Sequence, residues 1–285
     1  MAWEASLGLA YQRQADTTTL RSTHSGPLRV LKSLYPEGSG ICHNVLVHPP
    51  GGLVSGDALR IGVLAASGAH AVISTPGATR FYKAKNASPE LAQQHGSLKV
   101  AKGARMEWVP LESIAFPCCN AQNTLEMQIE PGGQMIGWDV LTLGLPAANQ
   151  LFDDPALAAP SRFAQGIRWP GHWDERALIC GDDARLMHSP LGMNGYRSMG
   201  TLWFASGTAL GPAQREALAD LLRTSWADAP DAAVCGCTWL NPHLLVLRVL
   251  GSVAEPVMQR LQHSWALLRP SVWGLEARAP RIWAV

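Results

Sequence analysis

His43, His48 and Asp57 are the residues of this chain whose types and spacing most invite chemistry. They lie in one segment, His43-Asn-Val-Leu-Val-His48-Pro49-Pro50-Gly51-Gly52-Leu-Val-Ser-Gly56-Asp57. An apolar, strand-like run enters a rigid Pro-Pro-Gly-Gly turn and delivers a carboxylate. Imidazoles and a carboxylate are ligands for divalent cations. On a strand, residues five apart face opposite sides, so His43 and His48 cannot chelate one ion without a bend. Pro50 restricts Pro49 to an extended conformation and so fixes how His48 is presented. Each residue also has a structural reading. A histidine beside an apolar run is commonly hydrogen-bonded packing, and an Asp after a Gly-rich turn commonly caps that turn.

A second rigid exit is Thr75-Pro76-Gly77-Ala78-Thr79-Arg80-Phe81-Tyr82-Lys83. Its hydroxyls and cations resemble a phosphate loop only loosely, because Pro76 removes an N–H and no Walker pattern is present; a turn over a sheet is the stronger reading. Glu107-Trp108-Val-Pro-Leu-Glu112 and Gly137-Trp138-Asp139 place carboxylates beside Trp in strand-like surroundings. A carboxylate turned inward must be paired, hydrated or neutralised, and several together would line a wet passage. Leu53-Val54-Ser55-Gly56 lacks the nucleophile elbow. One reading of His43, His48 and Asp57 is therefore a metal-dependent hydrolase.

The elements that must position these groups are mostly strands. Short β-like runs begin at Arg60, His70, Ser97, Met106, Thr124, Gln134, Arg176 and Gly200, with turn residues between them. Strands at such intervals predict stacked β-sheets; the spacing is also solenoid-like, although no repeat is evident. Residues 145–160 read as a break. Pro212–Trp226 and Glu255–Leu268 carry helical spacing, with Pro in the first turn. His243–Leu250 reads as a buried strand between them. The expectation is a mainly β chain of one domain, 1–285. A body of about 1–208 is followed by a helix-strand-helix portion of about 209–285, forming a smaller α/β cap.

The chain has 285 residues, 47% hydrophobic and 16% charged, with a formal net charge of +1. That balance gives no electrostatic case for nucleic acid or an anionic membrane. No apolar run reaches the length of a membrane span, and Met1–Ala15 lacks a signal-peptide core, so a cytoplasmic location is expected. Cys42, Cys118, Cys119, Cys180, Cys235 and Cys237 form neither a disulfide framework nor a CxxC pair.

In order along the chain, these motifs resemble the UreD (UreH) family of urease accessory proteins. The matching blocks are His24-Ser-Gly-Pro-Leu-Arg-Val30 with Leu34-Tyr-Pro-Glu-Gly38, Cys42–Asp57, Thr75–Tyr82, Glu107–Ile114, Gly137–Asp139 and Pro280-Arg-Ile-Trp283. The resemblance implies a mostly β fold with two helices and a scaffold that is not an enzyme. It implies binding to UreF, through UreF to the GTPase UreG, and to the urease apoprotein, with dimerisation through the UreF complex. It implies transient passage of Ni(II) through a polar tunnel and no tightly bound cofactor. Asp57, Ser74, Thr75, Glu112, Asp139 and Glu175 become candidates for the tunnel wall by motif position and polarity, with His43 and His48 as metal contacts. Three positions depart from the family pattern: Leu145 and Gln150 stand where an Arg and a Glu are common, and Leu111 where a Gln is common.

Overall fold

The structure is a computed structural model that describes residues 3–84, 90–226 and 233–284. The chain opens with β1 (Glu4–Gln14) and β2 (Thr17–Ser25), then β3 (Arg29–Val30), β4 (Ile41–Val47), β5 (Ala58–Ala65) and β6 (His70–Ser74). It continues with β7 (Thr79–Phe81), β8 (Ala92–Val100), β9 (Arg105–Trp108), β10 (Ser113–Ala115), β11 (Asn120–Ile129) and β12 (Gln134–Leu145). A short 3-10 turn at Pro146–Ala148 leads to β13 (Gln150–Leu151), β14 (Arg162–Trp169) and β15 (Trp173–Cys180). The remaining elements are α1 (Ala184–His188), β16 (Ser198–Ser206), α2 (Pro212–Thr224), β17 (Ala233–Asn241), β18 (Leu244–Gly251) and α3 (Ala254–Trp273).

The strands make two stacked sheets. Sheet one runs β15-β14-β11-β8-β5-β1-β2, and sheet two runs β17-β18-β16-β12-β9-β6-β4-β3, with β7, β10 and β13 attached beside it. Strands β5, β8, β11 and β14 pair in parallel, as do β4, β6, β9 and β12. The chain therefore passes from one sheet to the other and back, as in a two-sheeted solenoid. Its turns share geometry but no residue pattern, which is why no repeat shows in the sequence.

Period-two side-chain alternation explains two separate cores. Inward residues of sheet two such as Met135, Leu141, Trp203 and Val246 share a core with residues of sheet one, among them Ile61, Leu98, Met127 and Ile167. Outward residues of sheet two, including Ile136, Trp138, Leu202, Phe204 and Leu247, pack under α2 and α3. Sheet two is buried on both faces, so Leu244–Leu247 of β18 reads as a continuous apolar run.

The helices follow their sequence signals. α2 starts with Pro212 after Gly211, and α3 ends at Gly274, whose φ of 63° is the left-handed cap that glycine adopts without strain. Val257, Leu261, Trp265 and Leu268 form the buried stripe of α3. Gly200 lets that stripe sit close, because a Cβ there would meet Val257 Cγ1 at 2.6 Å. The 209–285 portion, expected as a smaller α/β cap within the one domain, is joined to the body through its strands. Strands β17 and β18 extend sheet two through β16, and the helices cover that sheet's outer face. The helix α1 falls outside the expected elements; five residues are too short for a periodicity signal.

Candidate functional site

Three neighbouring strands of sheet two break at the same level. Between one pair of rungs, β12 runs unbroken from Gly137 to Leu143. Over that interval its neighbours take residues 108–115 (β9 to β10) and 73–81 (β6 to β7), and beyond them the chain takes 44–53 after β4. The extra residues bulge out, and the ladder resumes at Leu53, β7 and β10. Each bulge is proline-bearing: Pro49-Pro50, Pro76 and Pro110. Proline cannot donate to a ladder, which favours a break there. Side chains stitch the bulges together. Thr75 Oγ1 accepts from the Leu111 N–H at 2.9 Å, and Ser74 Oγ donates to the Val109 carbonyl at 2.8 Å.

The split opens a cavity of about 260 Å³ between the sheets, with His48, Thr75, Gln94, Ser113, Asn123 and Asp139 among its polar walls. A row of amides and charges continues from it. On sheet one, Gln94, Asn123 and Gln165 are register partners on β8, β11 and β14. On sheet two, Asp139, Thr201 and Arg248 are register partners on β12, β16 and β18. Gln94 Nε2 donates to Asn123 Oδ1 at 3.3 Å, and Asn123 Nδ2 donates to Asp139 Oδ1 at 3.2 Å. Gln165 donates to the other Asp139 oxygen. Arg248 then donates to Thr201 Oγ1 at 3.0 Å and pairs through both terminal nitrogens with Glu175 on β15. With strands ~4.8 Å apart, the three steps from β8 to β15 span roughly 14 Å. The seam thus leads from the cavity to the lateral edge, where the Glu175 side chain is 32% exposed.

Electrostatics marks Asp139 as the unsettled group in this seam. Burial pushes its carboxyl up to about 6, despite the Gln165 and Asn123 hydrogen bonds, and neighbouring Glu175 adds to the rise. Near neutrality it can hold either a proton or a cation, and a dication would favour its charged form. His48 is the other open group. Its ring packs on Trp3 with centroids 4.9 Å apart, and its buried Nε2 has no hydrogen-bond partner among the described residues. Burial lowers its pKa, partly offset by Asp57, so a neutral imidazole lone pair is favoured.

The eight sequence candidates divide. His48, Thr75 and Asp139 line the cavity, and Glu175 lies at the far end of the seam. Asp57 is buried as a turn cap: Oδ2 accepts from Val54 N–H at 2.9 Å and Oδ1 from Trp3 N–H at 3.4 Å. Ser74 lies on the helix-facing side, where Trp283 Nε1 donates to it at 3.3 Å. Glu112 sits in the β9–β10 bulge and its carbonyl accepts from Thr79 N–H, while Leu111 and Ser113 on either side make the cavity wall. His43 is separated from His48 by sheet two itself, with Nε2 2.8 Å from Glu37. A shared hydrolase site of His43, His48 and Asp57 is not formed. Among the described residues no three His, Cys, Asp or Glu side chains gather as metal ligands.

Gln94, Asn123, Gln165, Thr201 and Arg248 are seam residues that motif reading missed. The signal was present: each interrupts an inward phase of apolar residues, as in Ala121-x-Asn123-x-Leu125-x-Met127 and Leu244-x-Val246-x-Arg248-x-Leu250. The departures from the family pattern also acquire a place. Leu145 and Gln150 are cross-strand partners in the β12–β13 ladder. Leu111 puts a hydrocarbon into the cavity wall.

A second polar cluster lies on the opposite face of sheet two. Arg269 of α3, fully buried, donates to Glu37 at 2.6 and 2.9 Å and to Glu107 at 3.1 Å. Glu107, also fully buried, accepts from His70 Nε2 at 2.7 Å and from Trp265 Nε1 at 2.6 Å. Burial would raise Glu37, but hydrogen bonds from His43 and Arg269 prevail and hold it at about 2. All six cysteines are free, and burial pushes the Cys119 thiol up to about 12.

The motif order and this fold define the class as that of urease accessory proteins. The sequence profile of the UreD urease accessory protein family matches residues 4–284, and the chain belongs to that family. It is 49% identical to urease accessory protein UreD of Variovorax paradoxus (strain S110) over 100% of both chains. It is 46% identical to that of Paracidovorax citrulli (strain AAC00-1) and 47% to that of Polaromonas sp. (strain JS666 / ATCC BAA-500), again over 100% of both chains. Among the described residues no helix is long and apolar enough to cross a membrane.

Proposed function

We propose that this protein is a cytoplasmic, non-enzymatic conduit for Ni(II) in urease maturation, acting between a UreF–UreG complex and the urease apoprotein. The observation that carries this reading is the polar seam that leads from the cavity to the sheet edge, with an unpartnered His48 Nε2 beside the cavity and an Asp139 carboxyl raised by burial. An ion in transit needs oxygens and imidazoles that bind it weakly and in sequence. Scattered amides, hydroxyls and one carboxylate raised by burial suit that task better than a closed cage. Nickel is cargo here, so no resident metal set is required. Arg248 bears on direction: while it holds Glu175, its positive charge opposes a dication at the edge, so it must turn aside as nickel passes.

The test is Asp139→Asn in cells expressing the urease system. The expected outcome is a several-fold loss of nickel per urease active site, with UreF, UreG and urease still co-purifying. Full nickel occupancy in that variant would refute a passage through Asp139.

A further inference from the structure

At the end of the sandwich away from the cavity, two hairpins, one from each sheet, bring histidines together. His172 lies in the β14–β15 turn and His243 in the β17–β18 turn. Their ring centroids are 4.6 Å apart, with planes inclined at 59°. Thr201 pairs with Asp139 and Ser206 with Gln134, so this end lies about 16 Å along the strands from the seam. Trp173 and Trp203, with rings 5.8 Å apart, stand in the core between the sheets.

The pair is held by built contacts. Asn241 bridges the two hairpins: its Nδ2 donates to the His172 carbonyl at 2.9 Å, and its Oδ1 accepts from the His243 N–H at 2.9 Å. His243 Nδ1 donates to the Ser206 carbonyl at 2.9 Å, which leaves Nε2 with a free lone pair. A backbone carbonyl on the far nitrogen is how metal-binding imidazoles are oriented. His172 stacks on Trp169 at 4.1 Å, and burial, followed by the neighbouring imidazole, lowers its pKa, which favours its neutral, ligating form. Both residues are half-exposed, which leaves an ion a way in.

We infer that His172 and His243 form a two-imidazole site for a borderline transition-metal dication, distinct from the seam. A metal–nitrogen bond of ~2.1 Å places each ring centre about 3.2 Å from the ion. Rings 4.6 Å apart then subtend roughly 90° at the ion, the angle between adjacent ligands of a square-planar or octahedral centre. Water completes the shell. Imidazole nitrogen selects Cu(II), Ni(II) and Zn(II) over Mg(II) and Ca(II).

Tag-free protein titrated with Cu(II), Ni(II) and Zn(II) in a calorimeter tests this site. His172→Ala and His243→Ala are expected each to weaken one equivalent of binding at least about tenfold, and Asn241→Ala, a positioning change, also by about tenfold. Electron paramagnetic resonance of the Cu(II) form is expected to show two coupled nitrogens, and one or none in the His172→Ala protein. The His172 hydrogen bonds run through its backbone and its side chain makes ring contacts, so the His172→Ala variant reports even where a His243 variant fails to fold. Unchanged stoichiometry and affinity in His172→Ala, or a copper spectrum without imidazole nitrogen, would overturn the assignment. Asp139→Asn is expected to retain this site, which separates its fate from that of the passage.

Discussion

Sheet two carries a polar cluster on each face, and the two are built on opposite terms. On the helix side, Glu37, His43, His70, Glu107, Arg269 and Trp265 bond to one another. On the sandwich side, the split strands leave His48 Nε2 unpartnered among the described residues, and burial raises the Asp139 carboxyl to about 6. The first cluster is closed: it fastens α3 and the β3–β4 loop to the sheet. The second is open: His48 Nε2 has no partner among the described residues, which on the proposed reading is capacity for a passing ion. Buried charge alone therefore does not mark function; unused bonding capacity beside a cavity does.

The largest expected effect tests the closed side. Arg269→Ala leaves the Glu37 and Glu107 carboxylates without their cation, and removing one partner of a buried ion network costs about 3–5 kcal/mol. Urea unfolding measures this, and a loss below about 1 kcal/mol would mean that the cluster is not holding the helix.

The two faces should also respond to pH with opposite signs. Glu37 sits at about 2, below its ordinary 4.5, so its contribution is present above 4.5 and lost as pH falls toward 2. Asp139 is raised from 3.8 to about 6, so its contribution is present below 3.8 and lost as pH rises through 6. Asp139→Asn should remove the second slope and raise stability at pH 7 by at most about 3 kcal/mol, less where cavity water screens the charge. A pH series of denaturant midpoints reads both slopes. A variant with the native slope between pH 4 and 6 would place that titration elsewhere.

Asp57 sharpens the boundary between the regions. It is near His48, yet both of its oxygens are engaged by backbone N–H groups, as on the closed side. Asp57→Ala should cost about 1–3 kcal/mol of stability by orphaning those donors. Loss of urease activation at unchanged stability would instead return Asp57 to the passage.

Much of this was legible beforehand, and the gaps have physical causes. Period-two runs and Pro/Gly punctuation expose strands, and helical spacing after Pro212 and Pro256 exposes both long helices. Thr75, Asp139 and His48 could be found because rigid motifs present them. The partners of Asp139 could not be found that way. Gln94, Asn123 and Gln165 meet it only because parallel register stacks three distant strands, and register is a property of pairing. The ion network was hidden for the same reason: Glu37 and Arg269 are neighbours only once α3 lies across the sheet. His43 and Asp57 have the residue types of metal ligands, but their bonding capacity is taken up by Glu37 and by backbone donors.

The smallest expected effect gives the finest discrimination. Leu111 is half-buried in the cavity wall. Leu111→Gln exchanges hydrocarbon for an amide at a residue that packs against the helix-side core and also lines a cavity large enough for water. With water at hand, the amide avoids the cost of an unsatisfied polar group, so stability should shift by less than about 1 kcal/mol. The same exchange at Leu261, fully buried in α3 against Gly200, has no such space. There the lost packing and the stranded amide should together cost several kcal/mol, about 3 or more. Equal costs at the two positions would mean that the cavity is as closed as the helix-side core. The open seam, and with it the contrast between the two faces of sheet two, would then fall.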